Sequence, residues 1–140
     1  MIAHIQGKLV EKNPTDVVID CGGVGYHINI SLHTYSLLPN SDQIKLFTYL
    51  QVKEDAHTLF GFFEKSEREI FKMLLSVSGI GASIARTMLS SLEPKQIIQA
   101  IASGDVGTVQ SIKGIGLKTA QRVILDLQDK VLKLYDLDEV

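Results

Sequence analysis

Ser76-Val77-Ser78-Gly79-Ile80-Gly81-Ala82-Ser83-Ile84-Ala85 returns thirty-five positions later as Ser111-Ile112-Lys113-Gly114-Ile115-Gly116-Leu117-Lys118-Thr119-Ala120. In both copies an apolar residue stands two before the first glycine, an isoleucine sits between two glycines, and an alanine closes the stretch. Gly-Ile-Gly between two apolar periodic runs is a turn between helices. Gly79 and Gly114 can take the positive φ that ends one helix, and Gly81 and Gly116 leave backbone N–H groups open just before the next begins. Ile80 and Ile115 are expected to point inward and lock each turn.

Free N–H groups at a helix start, with the helix dipole behind them, bind an anion such as a phosphate. Such contacts come from the backbone and do not touch base edges, so they position a nucleic acid without reading its sequence. One copy alone could equally be a packing turn. Two copies, matched at Val77 and Ile112 and again at Ala85 and Ala120, form the helix-hairpin-helix pattern in tandem.

The chain has 140 residues, enough for one ordinary domain or two small ones. An apolar fraction of 45% with 21% charged residues suits a folded globular chain and excludes disorder as the default. No apolar run approaches the roughly 20 residues of a membrane span, and Met1-Ile2-Ala3-His4 lacks the design of a signal segment. The single Cys21 cannot build an internal disulfide framework, which fits a reducing cytoplasm. A formal net charge of -2 is unusual for a nucleic-acid binder. Positive charge must therefore be concentrated on one face, or several copies must pool their basic faces, which favours an oligomer.

From Met1 to about Phe63 the pattern alternates and is punctuated by turns. Strands are expected over Ile2 to Val10, Val17 to Asp20, Tyr26 to Ile30, Ile44 to Val52 and Thr58 to Phe62. Corners fall at Asn13-Pro14-Thr15-Asp16 and Gly22-Gly23-Val24-Gly25. Five short strands with glycine corners suggest a small closed or nearly closed barrel, with an antiparallel meander as the alternative. Near Glu64 the period changes. Ser66-Glu67-Arg68-Glu69 has the form of a capping box, with Ser66 as cap and Glu69 reaching back, ahead of Ile70, Phe71, Leu74 and Leu75 at helical spacing. Helices are expected to run to Val77, then Ser83 to Leu89, Pro94 to Ser103, Val106 to Ile112 and Lys118 to Leu134. The fold class is α+β, all-β then all-α, with a strand domain over 1–63, a helical domain over 64–134, and an acidic tail over 135–140 that frays or begins a linker.

Met1-Ile2-x-x-Ile5-x-Gly7, Gly22-Gly23-Val24-Gly25-Tyr26, Lys53-Glu54-Asp55-Ala56, Leu59-Phe60-Gly61-Phe62 and the second hairpin are spread over nearly all of the chain. Together they resemble the RuvA family of bacterial Holliday junction-binding proteins. The resemblance implies an OB-fold first domain, a tandem helix-hairpin-helix second domain, and a homotetramer, or a pair of tetramers, holding crossed DNA open. It implies a role in recombination and DNA repair, with branch migration driven by a partner ATPase, RuvB, and RuvC resolvase as a further partner. RuvB is engaged through a third domain, and this chain stops where the linker to that domain should begin, as either a naturally short protein or one lacking its end would.

By this resemblance the DNA-binding residues are Gly79, Gly81, Ser83, Lys113, Gly114, Gly116, Lys118 and Thr119. Glu54 and Asp55 become an acidic pin that repels phosphates at the crossover. Taken alone, two adjacent loop carboxylates are just a solvated turn. Two departures remove positive charge beside the presumed phosphates. Ala82-Ser83 stands where the family usually has Pro-Lys, and Leu117 stands where a basic residue is common.

No Ser-His-Asp, Cys-His or Walker arrangement is present, and Gly22-Gly23-Val24-Gly25 lacks the Gly-Lys-Ser/Thr ending of a nucleotide loop. No catalytic residue, cofactor or metal site is expected; His4, His27, His33 and His57 have no ligand spacing. Cys21 reads as a small buried hydrophobe. Phe60 and Phe62 share a strand face and suit a barrel core or a subunit contact better than a base-stacking platform. Arg86 and Arg122 could reach a phosphate or simply cover a helix surface. The competing functions are a structure-specific nuclease or glycosylase that uses the hairpins for docking, and a protein-binding OB module.

Overall fold

The computed structural model describes residues 1–135; of the expected acidic tail, residues 136–140 lie outside the described residues. Five strands are laid down first: β1 His4–Lys12, β2 Asp16–Cys21, β3 Val24–Ile30, β4 Gln43–Lys53 and β5 Ala56–Phe62. They close in the order β1-β2-β3-β5-β4. Antiparallel ladders join every neighbouring pair except β3 and β5, which run parallel with Ile28 opposite Leu59 and Ile30 opposite Gly61. That one parallel seam turns a meander into a barrel, and it depends on Gly61. A Cβ there would stand 2.5 Å from Ile28 Cγ2, closer than the two strands allow.

The barrel is filled by the inward positions of the alternating strands. Ile5, Val17, Ile19, Ile28, Ile30, Ile44 and Leu46 are all buried there. Phe60 and Phe62 do share a strand face, but not the expected one: they lie opposite Tyr49 and Phe47, while Leu59 and Gly61, opposite Ile28 and Ile30, face the barrel interior. Both rings are buried outside the barrel core, which corrects the expectation of a place within it. Val10, at the bulge where β1 changes register between Leu9 and Glu11, turns outward. Cys21 corrects its expectation. It is half-buried, and its thiol donates to the Gln6 carbonyl at 3.2 Å.

Between β3 and β4 lies a short helix that the alternation does not reveal, α1 Leu32–Leu37. Ser31 caps it by accepting from the Thr34 amide at 3.0 Å. Both hydroxyls then donate to Glu67, Ser31 to one carboxylate oxygen and Thr34 to the other, and Thr34 Oγ1 accepts from the Phe63 amide. Glu67 is fully buried in the first turn of α2 Lys65–Leu75. This corrects the expected capping box. The helix begins one residue ahead of Ser66, and Glu69 is held by the guanidinium of Arg68 at 3.0 Å.

Helices α3 Ala82–Ser91, α4 Pro94–Ser103, α5 Val106–Gln110 and α6 Leu117–Leu134 complete the described chain. Residues cluster into two compact units, Met1–Glu69 and the remainder from Ile70, so the division falls inside α2. Within the second unit α6 packs on α4 and α5, and Val123, Leu127 and Val131 are its buried stripe. Pro94 opens α4 beside a capping box formed by Glu93 and Gln96, and Gly104 closes it in the left-handed region. Asp105 then caps α5 through the Thr108 amide at 3.1 Å and its hydroxyl at 2.6 Å, and these bonds hold its carboxyl below the usual aspartate range.

Candidate nucleic-acid interface

The two Gly-Ile-Gly bends have nearly the same backbone. Gly79 has φ +93° and Gly114 φ +91°, the conformation that only glycine adopts without strain. Gly81 caps α3 at φ -94°, ψ 178°, and Gly116 caps α6 at φ -87°, ψ 175°. Their hydrogen bonds correspond one for one. Ile80 N donates to Val77 O and Ile115 N to Ile112 O, each at 3.1 Å; Ala85 N donates to Gly81 O and Ala120 N to Gly116 O, each at 2.9 Å. Val77, Ile80, Ile112 and Ile115 are buried and anchor the bends from below, as expected of the two isoleucines.

Above these anchors the surface is open. Gly79, Gly81, Gly114 and Gly116 are exposed, and a Cβ added to Gly81 or Gly116 would meet nothing within 4 Å. Neither α3 nor α6 has a side-chain cap, so no capping side chain occupies the orphan amides of either first turn. Of the remaining candidates, Ser83, Lys113 and Lys118 are exposed and Thr119 is half-buried. Lys113 and Lys118 form no ion pair among the described residues. Arg122 is held by Asp126 at 3.3 Å, and Arg86 is already engaged elsewhere.

Ile84 is a residue of this site that the sequence did not single out. A Cβ on Gly79 would stand 3.9 Å from Thr119 Oγ1, and one on Gly114 would stand 3.4 Å from Ile84 Cδ1. Thr119 and Ile84 occupy the same place in their repeats, five residues after the first glycine. Each hairpin therefore presents its fifth residue to the other's glycine, which is the signature of an approximate two-fold relation. The thirty-five-residue offset pairs Ile84 with Thr119, but an apolar residue opposite a hydroxyl hides the equivalence.

Charge follows the same division. Residues 70–135 hold eight Lys and Arg against four Asp and Glu, whereas residues 1–69 hold six against nine. The net charge of -2, to which Asp136, Asp138 and Glu139 at the end of the chain contribute three acids, thus conceals a basic stretch over residues 70–135. In the barrel unit, Glu54 and Asp55 are the two-residue turn of the β4–β5 hairpin, beyond the last pair, Lys53 with Ala56. Both are exposed, with Lys53 and His57 exposed beside them. Among the described residues no three His, Cys, Asp or Glu side chains gather as a metal site. The histidines sit apart, His27 near Asp16 at 3.5 Å and His33 near Glu64 at 3.2 Å. No helix of the described residues is long and apolar enough to cross a membrane.

Comparison with known proteins divides the chain in the same two parts. Residues 1–61 match the RuvA N terminal domain, and residues 71–129 match the SAM-like helix-hairpin-helix tandem. The chain is 79% identical over all 140 residues to a protein of Flavobacterium psychrophilum and 67% identical to one of Christiangramia forsetii, covering 72% of each. It is 57% identical over 133 residues to a protein of Cytophaga hutchinsonii, covering 67% of that chain. All three relatives are named Holliday junction branch migration complex subunit RuvA.

Proposed function

The chain belongs to the RuvA family, and from that premise we propose that it binds Holliday junctions through its paired hairpins, by contacts to backbone phosphates. The observation that carries this reading is the pair of exposed, uncapped and geometrically matched helix starts behind Gly79-Ile80-Gly81 and Gly114-Ile115-Gly116. Each offers several N–H groups and a helix dipole to one phosphate, with Ser83, Lys113, Lys118 and Thr119 around them. Bonds of this kind hold DNA by shape and charge, as a protein that must let any sequence slide past requires.

Binding the crossover takes more than one copy. Four copies in a ring supply a pair of hairpins to each of four arms, and they pool the excess of Lys and Arg in the helical unit. In such a ring the Glu54-Asp55 turns act as an acidic pin near the crossover, repelling phosphates so that the strands stay apart. The protein does no chemistry of its own in this scheme. It presents the opened junction to RuvB, the motor ATPase, and in the recombination and repair setting to RuvC, which cuts it.

A nuclease or glycosylase would need a reactive group near the hairpins. The exposed polar side chains of the two bends are serines and lysines, Ser76, Ser78, Ser83, Ser111, Lys113 and Lys118, and no metal-binding set gathers among the described residues. Gel-shift comparison of a four-way junction, a duplex and a single strand, each with and without magnesium, tests the proposal. Selective retention of the four-way junction without cleavage is the expected result. Magnesium-dependent cutting would favour the nuclease, and no DNA binding would favour a protein-binding module.

A further inference from the structure

The duplication makes each hairpin a control for the other, because their backbones agree and their side chains do not. At matching places the first hairpin has Ser78 and Ser83 where the second has Lys113 and Lys118. All four are exposed. The cations nearest the first bend in sequence, Lys72 and Arg86, each already have an interaction partner.

Resting on the reading that both bends meet phosphates, we propose that the two hairpins hold DNA unequally. The second is an ionic anchor, through Lys113 and Lys118. The first is an uncharged rest, through its bare amides and the hydroxyls of Ser78 and Ser83. The reciprocal approach of Gly79 to Thr119 and of Gly114 to Ile84 gives this asymmetry a direction on the DNA. Two sites related by a two-fold suit two phosphates related by a two-fold, and in a duplex such axes exchange the antiparallel strands. One strand of each arm therefore rests on the first hairpin and the other on the second, so unequal charge on the protein becomes unequal hold on the two strands. An uncharged contact releases no counterions, so the strand on the first hairpin is held with little dependence on salt.

The purified protein, bound to a four-way junction over a range of salt, provides the test. Lys113→Ser with Lys118→Ser should make the slope of log K against log[salt] shallower by about 0.9 for each lysine–phosphate ion pair removed. Ser78→Lys with Ser83→Lys should steepen it, and the variant carrying all four changes should return the slope to its starting value. Junctions with uncharged methylphosphonate linkages in one strand of every arm provide the second readout. The native protein should lose affinity with one strand neutralised and little with the other, and the four-change variant should reverse that preference. An unchanged slope in the Lys113→Ser, Lys118→Ser protein, or equal losses from either strand, overturns the unequal hold. Gly81→Leu with Gly116→Leu separates this from the parent reading, since both side chains project into open space and block the amides. If that variant still binds junctions normally, the hairpins do not meet DNA at all.

Discussion

Within each bend the two glycines have opposite reasons to be there, and substitutions can tell them apart. Gly114 has φ +91°, so Gly114→Ala forces a side chain into the left-handed region, at a cost of about 1–2 kcal/mol. Gly116 has extended backbone and open space around it, so the fold does not require glycine there. Serine is in fact the better cap, since its hydroxyl accepts from an amide of the first turn. Gly116→Ser should therefore raise the unfolding free energy by a few tenths of a kcal/mol and lower junction affinity, because the hydroxyl occupies an amide that a phosphate would use. Urea midpoints and junction titrations on the same preparation measure both. A variant more stable and equally tight on DNA would mean the amides of α6 do not touch phosphate. The sequence revealed the bends and their isoleucine anchors because a glycine pair repeated at fixed spacing is a local signal. It did not reveal Ile84, whose partner Gly114 is thirty residues away and whose repeat equivalent is a threonine.

At the scale of elements the barrel unit is fastened at one corner by a buried charge. Glu67 in α2 accepts from Ser31 and Thr34 of the β3–β4 connection, and Thr34 accepts in turn from the Phe63 amide at the end of β5. Burial pushes the Glu67 carboxyl above its ordinary value of 4.5, opposed by the hydroxyl bonds of Ser31 and Thr34 and by His33, and assisted by the nearby charge of Glu64. A raised folded-state value means that the native protein binds this proton more tightly than the unfolded chain does. The resulting stability is fully present below about pH 4.5 and is lost as pH rises through the raised value. Glu67→Gln cannot titrate and retains His33 and Glu64, so the stability difference between the native protein and the variant isolates the effect. That difference should move in favour of the native protein on acidification and level off near pH 4.5. A difference that is flat, or that moves the other way, would mean the carboxylate is better solvated in the fold than burial implies. This corner was poorly legible in the sequence. Six-residue α1 buries only Thr34, too little for a helical period, and Ser66 with Glu69 imitated a cap while Glu67, between them, did the fastening.

Across the whole molecule, charge is sorted by unit. Residues 70–135 carry eight bases to four acids and residues 1–69 nine acids to six bases, and the exposed Glu54 and Asp55 form the turn beyond the last β4–β5 ladder pair. With the three acids Asp136, Asp138 and Glu139 included, the whole chain comes to -2, and that figure hides the division. In a ring of four copies the acidic turns would bear on phosphates only where strands converge, so their repulsion would be small for a junction whose strands part there and large for a duplex running across the ring. Neutralising them with Glu54→Gln and Asp55→Asn should thus strengthen binding to linear duplex by more than it strengthens binding to the junction. Each exposed charge contributes on the order of 1 kcal/mol at a separation near 4 Å in water, and less in salt. Four copies acting together make a change of ten-fold or more in the ratio of the two affinities reasonable at low salt. The ratio is measured by competing labelled junction against unlabelled duplex at two salt concentrations. If both affinities rise by the same factor, the turn acts as general charge and has no part in choosing the crossover. If the ratio falls as expected and the effect fades at high salt, selectivity for crossed DNA arises from where charge is withheld as much as from where it is supplied.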